Sequence, residues 1–163
     1  MNEALLRISQ WTSGPLNLMH LGLTTLPDLP PNLEELYCSH NLLTELPENL
    51  PPTLRILFCN FNRLTRLPEQ LPPSLQVIAA IHNSLTVLPP LPHQLAELIL
   101  NNNELDELPQ TLPSTLCELH ISSNKVKVLP VPPPTLKVLA CDRNPLTLPL
   151  KVLPANFIVT GKH

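Results

Sequence analysis

Glycine is almost missing from this chain, with three residues in 163 against 22 prolines. So little glycine leaves no glycine-rich phosphate-binding loop. So much proline excludes a helical bundle, because proline removes a backbone donor and clashes inside a helix. Aromatic residues are also scarce (one Trp, one Tyr and three Phe), so a place where they gather is informative. Charged side chains make up only 14% and the formal net charge is −3. A chain with no basic excess has no general attraction for phosphate backbones, which disfavours nucleic-acid binding. No apolar run approaches the ~20 residues needed to span a membrane. The opening Met1-Asn2-Glu3-Ala4-Leu5-Leu6-Arg7 has neither the basic start nor the apolar stretch of a signal peptide. These absences predict a protein of the cytoplasm.

Cysteine is sparse too, and none of the four is in a Cys-x-x-Cys pair, so a structural zinc site is not expected. There is no nucleophile elbow and no zinc-protease motif. The reading from these absences is no catalysis, no cofactor and no metal.

What the chain has is a repeat. The phrase Leu-x-x-Leu-x-(Leu/Cys/Ala/Ile)-x-x-Asn-x-Leu-x-x-Leu-Pro recurs from residue 13 to residue 149. Its asparagines are Asn41, Asn62, Asn83, Asn103, Asn124 and Asn144, at spacings of 21, 21, 20, 21 and 20. A fixed period of this length and grammar identifies a leucine-rich-repeat solenoid, mainly β, in which each unit packs on its neighbours. We read one domain over 1–163: an N-terminal cap at 1–12, about seven repeats at 13–149, and a C-terminal cap and tail at 150–163.

Within a unit, Leu36 and Cys38 alternate with Tyr37 and Ser39, as in a short strand with one buried face. Stacked units turn these strands into a concave parallel sheet. Asn41 and its equivalents are expected to bond backbone groups where each strand ends, as a buried ladder. The other half-unit, Leu46-Pro47-Glu48-Asn49-Leu50-Pro51-Pro52, carries paired prolines, so the convex side is expected to be extended polyproline II. Cys38, Cys59 and Cys141 take an inward leucine position and read as small apolar fillers.

On these motifs, the Leu-Pro-x-x-Leu-Pro-Pro phrase above all, residues 13–149 resemble the short bacterial-type leucine-rich repeats of YopM-like injected effectors and of the recognition half of IpaH-like ubiquitin ligases. Similar repeats occur in predicted proteins of large DNA viruses and amoebae. The resemblance implies target recognition through the concave face. IpaH-like ligases add a catalytic helical domain with a nucleophilic cysteine, and Cys141, on a core strand, does not inherit that role.

At the N-terminus, good helix formers follow Asn2 as a cap, and Leu5, Ile8 and Trp11 share a face at helical spacing. A short capping helix is expected there. Phe157, Ile158 and Val159 are expected to seal the other end.

The outward strand positions are not dictated by the fold, so they carry the functional signal. Across neighbouring repeats, Ile56, Phe58, Phe61, Val77, Ala79 and Ile81 are expected to form an apolar patch flanked by Tyr37 and Ile99. Water-facing sheet positions are normally polar, and exposed apolar patches mark interaction sites. These eight residues are the candidate partner-binding set. The function expected is a non-catalytic module that binds a protein partner, as a free-standing adaptor or effector. The alternative is an assembly protein that self-associates or joins a larger particle such as a virion. His20, His40 and His82 occupy one further outward row, read as surface contacts.

Overall fold

A computed structural model describes residues 2–147 and 158–160 of the chain. Helix α1 (Glu3–Gln10) is followed by strands β1 (Leu16–Asn17), β2 (Glu35–Tyr37), β3 (Ile56–Phe58), β4 (Val77–Ala79), β5 (Glu97–Ile99), β6 (Glu118–His120), β7 (Val138–Ala140) and β8 (Ile158–Thr160). The eight strands form one sheet in chain order, and every neighbouring pair is parallel. The register is constant: Leu16, Leu36, Leu57, Ile78, Leu98, Leu119 and Leu139 are successive partners. This is the leucine-rich-repeat solenoid expected from the period.

The core is a leucine column repeated along the stack. Strand β1 turns Leu16 inward and strands β2 to β7 turn their central residue inward, and the residue after each of these strands follows it (Leu18, Cys38, Cys59, Ala80, Leu100, Ile121, Cys141); all are buried. Full burial of one such leucine is worth roughly 1.5–3 kcal/mol, so stability accumulates repeat by repeat. All four cysteines are free thiols. Burial pushes the Cys59 thiol up to about 12, and burial first, then the neighbouring Cys59, raises Cys38 well above its ordinary value.

The asparagine ladder takes the expected form. Asn41 Nδ2 donates to the carbonyls of Leu18 (2.8 Å) and Cys38 (2.9 Å), while its Oδ1 accepts from the N–H groups of Leu21 and Leu23. Each asparagine thus ties its own strand end to the preceding repeat. Asn62, Asn83, Asn103, Asn124 and Asn144 repeat the carbonyl bonds.

No helix or strand forms between the strands of successive repeats among the described residues, in keeping with the paired prolines. A tight turn closes this half-unit: the N–H of Leu33, Leu54, Leu75, Leu95, Leu116 and Leu136 donates to the carbonyl three residues back, each time a proline. Pro31, Pro52, Pro73 and Pro134 fill the second turn position, where a fixed φ is favourable. A second ladder, not anticipated from the sequence, runs beside these turns. The hydroxyls of Thr53, Ser74, Thr115 and Thr135 donate to the carbonyls of Leu33, Leu54, Leu95 and Leu116. The 20-residue unit following Asn124 is one residue shorter on this side, and Val131 there is 83% exposed.

The N-terminal cap differs from expectation in its register. Asn2 does cap α1, its side chain accepting from the Ala4 N–H at 3.1 Å. The face turned to the first repeat, however, is Ala4, Ile8 and Trp11, with Ala4 fully buried and Leu5 49% exposed. Positions i, i+4 and i+7 share a helix face as well as the spacing first read, and the small Ala4 lets the helix approach more closely. Trp11 packs on the core and its indole N–H donates to the Gly14 carbonyl. At the other end, the backbone of Ile158–Thr160 adds β8 alongside β7; Phe157 and the rest of the expected C-terminal cap lie outside the described residues.

Candidate functional site

Because strand partners keep register, the outward residues of successive strands form rows across the concave face. The middle row runs Asn17, Tyr37, Phe58, Ala79, Ile99, His120 and Ala140. The row before it runs Glu35, Ile56, Val77, Glu97, Glu118 and Val138. The structure therefore places Tyr37, Ile56, Phe58, Val77, Ala79 and Ile99 on three adjoining strand pairs of one surface, with Ile81 and Phe61 just past the strand ends.

Exposure varies within this set. Phe61 is 44% exposed; Tyr37, Ile56, Phe58, Val77, Ile81 and Ile99 are half-buried. Strands spaced about 4.8 Å apart press these side chains against one another. The rings of Tyr37 and Phe58 stack with centroids 5.1 Å apart. Ala79 is only 4% exposed: its lone methyl lies between the taller register partners Phe58 and Ile99, so it shapes a depression in the patch and offers little contact area of its own.

A feature read only in part from the sequence borders the patch. His20, His40, Phe61 and His82 form a continuous ring stack, with successive centroids 4.4, 4.5 and 4.6 Å apart. Phe61 continues the histidine row. All four are in the left-handed region with φ between 52° and 58°, as are Asn102, Ser123 and Arg143 at the equivalent positions. Histidine and asparagine are among the residues that tolerate this backbone best. His40, His82 and Asn102, each one residue before a ladder asparagine, are the signal that points to it. Phe61 departs from this preference, a bulky aromatic side chain held at φ 52°.

Beyond the patch the face becomes acidic. The Tyr37 hydroxyl donates to Glu35 Oε2 at 2.8 Å, and this bond, followed by burial and the carboxylate's charge, raises the phenol above its usual range. His120 Nε2 lies 3.2 Å from Glu118 Oε2. The Ser122 hydroxyl donates to Asp142, whose other oxygen lies 4.0 Å from Arg143. Among the described residues, no three His, Cys, Asp or Glu side chains converge as a metal site would require. No helix there is long and apolar enough to cross a membrane.

Several solved structures share this architecture. The leucine-rich-repeat domain of a Shigella effector is 35% identical with a TM-score of 0.84, over 94% of this chain and 69% of that one. YopM from Yersinia enterocolitica is 36% identical with a TM-score of 0.72, and the match covers 96% of this chain but 40% of YopM. The functional domain of InlJ from Listeria monocytogenes, which includes a cysteine ladder, is 26% identical with a TM-score of 0.53, over 76% of this chain and 34% of InlJ. No protein-family model matches the chain, and no curated protein does.

Proposed function

Since this chain belongs to the leucine-rich-repeat family of bacterial effectors, we propose that it is a non-catalytic recognition module that binds a protein partner on its concave face. In this reading it acts as a free-standing adaptor or effector, in the cytoplasm of the producing cell or of a host. The contact set is Tyr37, Ile56, Phe58, Phe61, Val77, Ala79, Ile81 and Ile99.

One observation carries the reading: three of the chain's five aromatic residues, Tyr37, Phe58 and Phe61, share one outward surface. Nothing in the repeat demands this, because the inward leucines and the asparagine ladder already close the fold. Aromatic side chains set among apolar neighbours are typical binding anchors. An open sheet without an enclosing pocket suits a protein surface better than a small substrate.

The test compares the wild type with the double variant Phe58→Asp/Ile81→Asp, both checked by circular dichroism. Light scattering over a wide concentration range comes first. A wild type that remains monomeric, with a partner retained from lysate by the wild type and lost by the variant, supports recognition. Association of the wild type that the variant abolishes replaces it with self-assembly.

A further inference from the structure

We infer that the partner presents a basic segment, with one or two apolar side chains seated on Ile56, Val77 and the neighbouring Phe58 and a lysine or arginine at each end. This inference rests on the concave-face reading above and adds the chemistry of what is bound.

The row Glu35, Ile56, Val77, Glu97 and Glu118 crosses five successive strands in register. An apolar pair is thus bracketed by one carboxylate on one side and two on the other. At the spacing of parallel strands, Glu35 is about 14–19 Å from the two others, which about five residues of extended chain would cover. A segment reading basic, apolar, x, apolar, basic has that length.

The protein meets these charges only in part: Glu35 accepts the Tyr37 hydroxyl at 2.8 Å and Glu118 lies 3.2 Å from His120 Nε2. Glu97 and Glu118 are direct register partners, and like charges facing each other across a strand pair disfavour the fold. Among the described residues, no lysine or arginine forms an ion pair with Glu35, Glu97 or Glu118. Arg55 lies one position outside the strand and is engaged by Glu34 and Gln76. A cation arriving with a partner relieves the repulsion that the free face retains. Two copies of this chain pressed face to face would instead oppose carboxylates to carboxylates, which argues against a second copy as the occupant.

Fluorescence anisotropy of the full chain with short labelled peptides tests the inference. The peptides share a central Phe-Ser-Leu and carry at their ends two lysines, two serines or two glutamates; a fourth has lysine ends around three serines. The lysine-ended apolar peptide is expected to bind roughly three- to tenfold tighter than the serine-ended one. Glu97→Gln/Glu118→Gln reduces that preference and Glu35→Gln added to it removes it, whereas the control Glu107→Gln, away from this row, leaves it. Phe58→Ala weakens every apolar peptide. Equal affinity for lysine, serine and glutamate ends, still lost in Phe58→Ala, overturns the basic partner and leaves the concave-face reading standing. Binding that ignores Phe58, equal binding of the serine-centred lysine peptide, or no binding up to about 1 mM overturns both.

Discussion

Phe61 lies face to face with His40, ring centroids 4.5 Å apart and planes 9° from parallel, and both hold a left-handed backbone. The two come from equivalent positions of adjacent repeats, so the stack is a consequence of the solenoid's pitch. A left-handed backbone is unfavourable for phenylalanine and tolerable for asparagine. Phe61→Asn is therefore expected to change unfolding free energy by less than about 1 kcal/mol, lost stacking offsetting relieved strain. Leu57→Ala, in the adjoining core, should cost about 2–5 kcal/mol. Urea titrations of the two variants make the comparison, and a large loss for Phe61→Asn would show that the ring stack itself holds the repeats together.

Asn83 donates to the carbonyls of Cys59 (3.1 Å) and Ala80 (3.2 Å) and accepts from the Leu64 N–H (3.0 Å). Replacement by alanine leaves those groups without a partner between two repeats. A loss of roughly 1–3 kcal/mol is expected. His82→Asn, one residue earlier and compatible with the left-handed backbone, should change stability by only a few tenths of that. Equal and negligible effects in chemical denaturation would refute the ladder's structural role.

Cys59 keeps its proton up to about 12 in the folded chain, whereas an exposed thiol releases it near 9. Above pH 9 the unfolded state therefore binds fewer protons than the folded one, and stability falls as pH rises. The contribution is intact below pH 9 and declines by about 1.4 kcal/mol per pH unit for this thiol until the folded value is reached. Cys38, raised in the same direction, adds to the slope. Denaturation curves at pH 8 and pH 10 should show the decline, and Cys38→Ala/Cys59→Ala should flatten it. In the native protein both thiols should resist alkylation at pH 8, since the thiolate is the reactive form.

The capping helix seats Ala4 against the first repeat and leaves Leu5 half in water. Ala4→Leu forces extra volume into a closed contact and should cost about 1–3 kcal/mol. Leu5→Ala should stay within about 0.5 kcal/mol. Thermal melts of the two variants decide; the opposite order would restore the helix face first read from the leucine spacing.

Much of the fold was legible because the repeat encodes it locally. Alternation around Leu36 and Cys38, the asparagine at a constant offset and the paired prolines each specify a backbone state within a few residues. Stacking then follows, since no unit can bury its leucines alone. The outward rows were legible for the same reason, as a period of two fixes which residues face away from the core. The hydroxyl ladder at Thr53 and Ser74 was not, because serine and threonine beside prolines also suit a solvent-exposed turn.

Sequence alone determined the solenoid, its parallel register and the identity of the residues facing the concave side. Tertiary structure decided how much of each one water can reach. Ala79 sinks between Phe58 and Ile99, Leu5 turns outward in favour of Ala4, and Phe61 joins the histidines in one stack. Exposure and stacking depend on the height of side chains some 20 residues away in sequence and one strand away in space. Local pattern fixes direction, but only the neighbouring repeats fix depth.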